Sequence, residues 1–302
     1  MPLSNQLHVD KLLSAISIKY RNENYIAMEI FPEIPVKLNS DLYRIYGRDF
    51  KLPETYRAMN AVSKQASFEV STASYQLEWH SLHDFVGDRQ AENYDIADLR
   101  SDTTENLTDK ILRRLEKKVC DLFTTTNWSL GVSLAAGAEW SANTTTSNPI
   151  PVVDTGTSTV LMNSGKKPIY GAIGRNGFVA VKNHVSVLER TKYVSKEMDV
   201  NMIAALFGLE QLLVSEQSID TAAQGVAENI SWLWDNEKMF LGWKPAKASP
   251  LQPSAGYIFR NSRPMVKRWR VEEREADEIE VNMEFDARVV ASLCGYLINN
   301  VT

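Results

Sequence analysis

The chain has 302 residues, 44% of them hydrophobic and 24% charged, enough for a large packed core near the upper limit of a single one. Its formal charge of -5, from 38 acidic against 33 basic residues, lacks the basic surplus of a general nucleic-acid binder. With no run of about 18 apolar residues, no membrane-spanning helix is expected. The N-terminus lacks the basic-then-apolar pattern of a signal peptide. Cys120 and Cys294 sit in apolar surroundings and read as buried thiols of a chain made in a reducing cytoplasm.

Residues 1–38 read as an arm. Val9, Leu12, Leu13 and Ile16 predict a short amphipathic helix, and the apolar stretch Ala27 to Val36 carries Pro32 and Pro35. A proline-broken apolar segment cannot occupy a central strand, so it needs cover from its own subunit or a neighbour. Residues 39–85 read as one long hairpin. Leu42 to Phe50 forms the first limb; Phe68, Val70 and Thr72 alternate, and Tyr75, Leu77 and Trp79 alternate in the opposite phase. The slip at Ala73-Ser74 predicts a β-bulge. The tip, about Leu52 to Gln65, reads as polar, with Lys51, Glu54, Arg57 and Lys64, and is expected to project. Gly87 to Asn93 reads as a turn.

The strongest periodicity lies in residues 102–123. Leu107, Ile111, Leu115, Val119 and Leu122 recur every three or four residues, the spacing of one helical face, while Lys110, Arg113, Arg114, Lys117 and Lys118 take the other. Asp102 with Glu105 reads as a capping box. Residues 127–151 carry few strong signals. Lys167 to Gly174 predicts a short strand running into a helix with Phe178, Val181, Val185 and Leu188; a second helix, Asn201 to Phe207, leads to a strand Leu209 to Val214. Ile230–Trp234 and Met239–Trp243 read as a strand pair around Asp235-Asn236. Alternating strands and helices over 151–254 suggest a compact α/β lobe. Met265 to Val271 and Ile279 to Phe285 predict a long antiparallel pair turning near Glu275 to Asp277, and Val289 to Ile298 a last apolar strand.

Chemical motifs are sparse. His80 and His83 are near in sequence, but three apart on a strand puts them on opposite faces, so neither a metal site nor a metal-dependent hydrolase is expected. No P-loop, nucleophile elbow or dinucleotide fingerprint occurs. Gly171, Gly174 and Gly177 read as a tight turn with close packing. Lys267-Arg268-Trp269-Arg270 faces an acidic strand and reads as a cross-strand ion-pair ladder. No catalytic residue, cofactor or metal is assigned, and the chain is not expected to be an enzyme.

An arm, a projecting hairpin, a long helix, an α/β lobe and terminal long strands, in that order, resemble the major capsid protein of tailed bacteriophages with the Hong Kong 97 fold. The residues carrying the likeness are Ile30 to Val36, Tyr43 to Phe50, Asp102 to Phe123, Pro168 to Tyr193, Leu206 to Val214 and Ser231 to Trp234. The resemblance implies an α+β fold with an N-terminal arm (1–38), an extended loop hairpin (39–85), a peripheral domain (86–150 and 255–302) built on a spine helix at 102–123, and an axial domain (151–254). It implies hexamers and pentamers of a head shell around double-stranded DNA that is contacted weakly. It also implies a separate scaffolding protein, a portal and a decoration protein as partners, a place in the virion, and assembly in the host cytoplasm. Intersubunit contacts are expected at Phe31, Pro32, Tyr43, Ile45, Arg57, Lys64, Phe68 and Val70. No motif assigns the family's lysine–asparagine cross-link, for which Lys51 and Lys64 qualify only by location. An encapsulin-type nanocompartment shell is the alternative with the same fold.

Overall fold

The computed structural model describes residues 25–46, 50, 52, 54–65, 70–93, 99–192, 198–222, 225–261 and 265–302. The amphipathic helix expected around Val9 to Ile16 lies outside them. A short helix α1 (Ala27–Ile30) opens the described chain, followed by β1 (Glu33–Pro35), β2 (Ser40–Tyr46), β3 (Val70–Gln76), β4 (Glu78–Gly87), α2 (Asp88–Glu92) and the long α3 (Leu99–Cys120). Next come β5 (Gly131–Ser133), α4 (Pro149–Ser164), β6 (Tyr170–Gly174), α5 (Arg175–Lys182), α6 (Val185–Thr191), α7 (Val200–Leu206) and β7 (Gln211–Ser215). The ribbon β8 (Ser218–Asp220) and β9 (Ile230–Trp232) precedes β10 (Lys238–Gly242), β11 (Gly256–Arg260), β12 (Met265–Val271), β13 (Ala276–Val289) and β14 (Gly295–Asn299).

The long helix is present, but it starts three residues before the predicted cap. Asp102 lies inside α3 and is buried, so the expected capping box is not formed. At about 1.5 Å per residue its 22 residues span roughly 33 Å. Leu107, Ile111, Leu115 and Val119 are at most 4% exposed. They share one core with Ile279, Val281, Met283 and Phe285, the alternate residues of β13. That fourteen-residue strand organises the first sheet. It pairs with β4 along one edge; on the other it pairs first with β12 and then with β11, and β1 adds in parallel outside β11. Pro35 thus sits in an edge strand, where its missing N–H costs no ladder bond.

The second sheet runs β5-β14-β10-β6-β7. Helix α4, which the sequence reading did not anticipate, lays Val153 and Val160 into the same core as Leu241, Tyr296 and Ile298. Its limits are marked: the Asn148 side chain accepts from the Ile150 N–H at 3.1 Å, Pro149 opens the first turn, and Gly165 closes it in the left-handed region at φ 68°. A Cβ at Gly156 would lie 2.9 Å from both Leu241 and Tyr296, so glycine is what lets α4 approach the sheet.

Several expectations need correction. Ser40 to Tyr46 pairs with Gln76 to Val70 in unbroken register, with no bulge at Ala73-Ser74. The parity change belongs to Leu77, where the chain leaves the hairpin and enters β4 of the first sheet. The hairpin pairing therefore ends at Gln76 and does not reach residue 85. The polar run after Gly87 is helix α2, not a turn. The helix predicted through Val181 and Leu188 breaks into α5 and α6. His184 caps the second half: its Nδ1 accepts from the Ser186 N–H at 3.2 Å, and its Nε2 lies 3.0 Å from Ser147 Oγ. Ile230–Trp232 pairs with β8, not with β10, because β10 is taken on both sides by β6 and β14. Val289 to Ile298 is not one strand: β13 ends at Val289, a turn follows, and β14 joins the second sheet. The close-packing reading of the glycines agrees with the structure, since a Cβ at Gly171, Gly174 or Gly177 would meet neighbours at 3.0 Å or less.

Candidate functional surface

The hairpin β2–β3 carries a tip whose apolar side chains are almost fully in solvent. Leu52 is 97% exposed, Met59 94%, Val62 90% and Tyr56 78%. The expectation of a merely polar tip missed these residues, which are scattered singly among Glu54, Arg57 and Lys64 and form no run. Arg57 and Lys64 are both exposed, and the Arg57 Nε donates to the Ala61 carbonyl across the tip turn. Asn60 takes the left-handed conformation that closes this turn, φ 66°. On the first limb the Phe50 ring rests over Gly165 at the end of α4, yet stays 59% exposed.

Phe31 is fully buried in its own subunit against Phe123 and Trp128, with ring centroids 5.9 and 6.5 Å away. Pro32 is half-buried, and its carbonyl accepts from the Ile258 N–H. Tyr43 is buried as well: its ring lies 5.3 Å from that of Phe259, and its hydroxyl donates to the Val289 carbonyl at 3.4 Å. Ile45 is half-buried on the same limb. Phe68 lies outside the described residues; Val70 stands opposite Tyr46, with its side chain outside them. The arm root and hairpin base are thus packed on their own body, while the tip is not.

A second surface lies on the first sheet, on the side away from α3. Cross-strand partners point to one face, so Glu278, Glu280, Asn282 and Glu284 form a central row flanked by Phe85, His83, Ser81 and Trp79 on β4. Trp269, Lys267 and Met265 flank the other side on β12. Trp79 is 62% exposed although its Nε1 donates to Asn282 Oδ1 at 3.0 Å, and Met265 and Trp269 are exposed too. The flanks of this acidic, aromatic-edged face are exposed, while its central row is half-buried and internally paired: Asn282 donates to Glu280 at 2.5 Å and Asn261 to Glu284 at 2.9 Å.

On the opposite face the basic segment of β12 is absorbed by ion pairs. Arg268 and Arg100, from strand and long helix, converge on Asp277 Oδ2 at 2.6 and 2.9 Å, and Arg270 binds Asp88 with two nitrogens at 2.5 and 2.6 Å. Burial opposes ionisation of Asp277, but the two arginine hydrogen bonds outweigh it and hold its carboxyl below the usual value. These contacts fit the ion-pair reading of Lys267 to Arg270 for its two arginines.

The two strand histidines separate as parity requires. His80 faces α3 and stacks on Phe285 at 4.3 Å; His83 is opposite Glu280 on the open face. Among the described residues no three His, Cys, Asp or Glu side chains are placed to hold a metal, and no helix is long and apolar enough to cross a membrane. Burial pushes the thiols of Cys120 and Cys294 up to about 11, and neither is in a disulfide.

No protein-family model matches the chain. The chain is 24% identical to the major capsid protein of Burkholderia phage BcepMu, over 99% of its own length and 98% of that protein's. A crystal structure of a phage-related protein from Bordetella bronchiseptica RB50 superposes with a TM-score of 0.76 at 22% identity, covering 96% of both chains. The capsid of cyanophage P-SCSP1u gives a TM-score of 0.64 at 12% identity, over 93% of this chain and 89% of the other. The SrpI encapsulin of Synechococcus elongatus gives 0.51 at 11% identity, over 96% of this chain and 95% of that one. The chain has the α+β fold of Hong Kong 97-type phage capsids, and in sequence it resembles phage major capsid proteins from end to end.

Proposed function

We propose that this chain is the self-assembling subunit of a tailed-phage head shell, arranged as hexamers and pentamers around packaged double-stranded DNA. One observation carries the reading. The same chain bears an exposed apolar tip with Arg57 and Lys64, and an acidic sheet face whose aromatic edges, Trp79 and Trp269, stay exposed. A finger and a receiving surface on one chain make a head-to-tail contact, the kind that closes into rings when repeated by rotation. In this arrangement the tip residues Leu52, Tyr56 and Met59 of one copy lie on the next, with Arg57 and Lys64 directed at Glu278, Glu280 and Glu284. Ile45, Phe68 and Val70 extend the contact along the limb. The side chains of Phe31 and Tyr43 are committed to their own subunit, so they support the arm and hairpin from beneath.

A separate scaffolding protein, a portal and a decoration protein complete the proposed assembly, built in the host cytoplasm and ending as the head of the virion. A net charge of -5 suits a container whose DNA is held weakly. The encapsulin alternative shares the fold, but full-length sequence similarity to a phage major capsid protein favours the phage head. No arrangement of His80 and His83 supports a hydrolase. Negative-stain imaging and sedimentation of the purified chain, with and without scaffold, test the proposal. Capsomers, sheets or shells are expected; a monomer at high concentration with scaffold present contradicts it.

A further inference from the structure

Glu116, on α3, is 1% exposed, yet it has no cation beside it among the contacts that hold its side chain. Its carboxylate instead accepts three N–H groups: Ile26 at 3.2 Å, Ala27 at 2.9 Å and the Trp234 indole at 2.6 Å. The first two belong to the strap that runs from Tyr25 through α1 into β1. The third belongs to the segment by which the exposed ribbon β8–β9 returns to the body, where Leu233 donates to Gln217 and accepts from the Cys120 thiol. A second carboxylate seven residues back repeats the arrangement on the strap side, where Tyr25 donates to Asp109 Oδ1 at 2.5 Å.

We infer that Glu116 is a shared latch that couples the docking of the strap at residues 25–27 to the seating of the ribbon root at Leu233-Trp234. The two segments are far apart in sequence and meet at this side chain and at the cluster around Phe123, whose ring lies 5.2 Å from Trp234. Each donor segment holds the carboxylate in the position the other needs. A buried carboxylate deprived of some of its donors keeps its desolvation cost with fewer hydrogen bonds to offset it. Loosening either segment therefore weakens the hold on the other, and the coupling is the same in both directions. Burial already pushes the Glu116 carboxyl above its usual value, against the opposing effect of the three hydrogen bonds. A buried acceptor held by three donors from two segments is sensitive to the loss of any one of them. The device sits within one subunit and does not depend on the shell reading.

Hydrogen exchange on the full chain, in its unassembled form, tests the coupling. Glu116→Gln keeps the shape but removes the charge and puts an amide NH2 where one of the two accepting oxygens stood. It should speed exchange of the Ile26 and Ala27 amides and of the Trp234 indole by about tenfold or more, since hydrogen bonds to a charged group are the strong ones. The Val281 and Met283 amides on β13 should keep the parent rate. The decisive variants each touch one side alone. Trp234→Phe should speed the Ile26 and Ala27 amides several-fold, and Tyr25→Phe should speed the Trp234 indole in the same sense. If Glu116→Gln unfolds the whole chain, these two single-sided variants still decide. Local loosening on the altered side, with the far side at the parent rate in both variants, overturns the inference and leaves Glu116 an ordinary buried acceptor.

Discussion

Replacing Leu115 by alanine probes the packing of the long helix on the first sheet, with Arg114→Ala as its matched control one residue away. Leu115 is 1% exposed in the core that also holds Ile279, Val281 and Met283. Alanine removes three carbons, worth about 2.4 kcal/mol at ~0.8 kcal/mol per buried methylene. An unfilled cavity of roughly 50 Å³ adds about 1.2 kcal/mol at ~24 cal/mol per Å³, for a total near 3.6 kcal/mol, within the usual range of about 2–5. For a chain of 302 residues that corresponds to a melting temperature lowered by roughly 6 °C, at about 2.1 cal/mol/K of unfolding entropy per residue. Arg114 is exposed on the other side of the helix, and its truncation should stay within about 0.5 kcal/mol. Calorimetry on the unassembled subunit, with urea midpoints at constant m-value, reads both. Equal shifts for the two variants would mean that the buried face has been misassigned.

Reversing charge at the tip, Arg57→Glu with Lys64→Glu, should block assembly without lowering the melting temperature of the subunit. Glu280→Lys with Glu284→Lys should also block assembly, and the fourfold variant should recover particles by sedimentation; no recovery places the receiving surface elsewhere. Asp277→Asn leaves Arg100 and Arg268 without their carboxylate and should cost about 1–3 kcal/mol at neutral pH. Because the Asp277 carboxyl is held low, its stabilisation is present above about pH 4 and disappears as pH falls through the folded value. The parent and variant urea curves should therefore converge in acid. With both thiols at about 11, Cys120 and Cys294 should resist alkylation at pH 8 until the chain is denatured. Their linked stability should fall as pH rises from about 8.5, the free-thiol value, toward the folded one.

The elements legible in the sequence were those whose pattern is local and long. The stripe Leu107, Ile111, Leu115, Val119 repeats often enough to define a helix, and the alternation from Ile279 to Phe285 defines a half-buried strand. Choice of strand partner was not legible: Met239 to Gly242 is buried because β6 and β14 flank it, and nothing near Asp235 records that. Helix α4 was hidden by its β-branched composition, Val152, Val153, Thr155, Thr157 and Thr159, which disfavours helix locally and is overridden by packing on β10 and β14. At the candidate surface, Arg57 and Lys64 were found from their place in a projecting loop. Trp79 and Trp269 do not read as a shared face, because alternation alone places Trp79 in the hairpin, and only the register with β13 brings them to one side.

Deleting Leu52 to Gln65 and bridging the gap with a short Gly-Ser turn tests the central claim most directly. The described tip makes few contacts with its own body, so the variant should keep the circular dichroism and melting profile of the parent. In sedimentation it should stop at free subunits or isolated capsomers while the parent forms particles. A variant that assembles like the parent, or one that unfolds outright, contradicts the account of the hairpin as the contact between subunits.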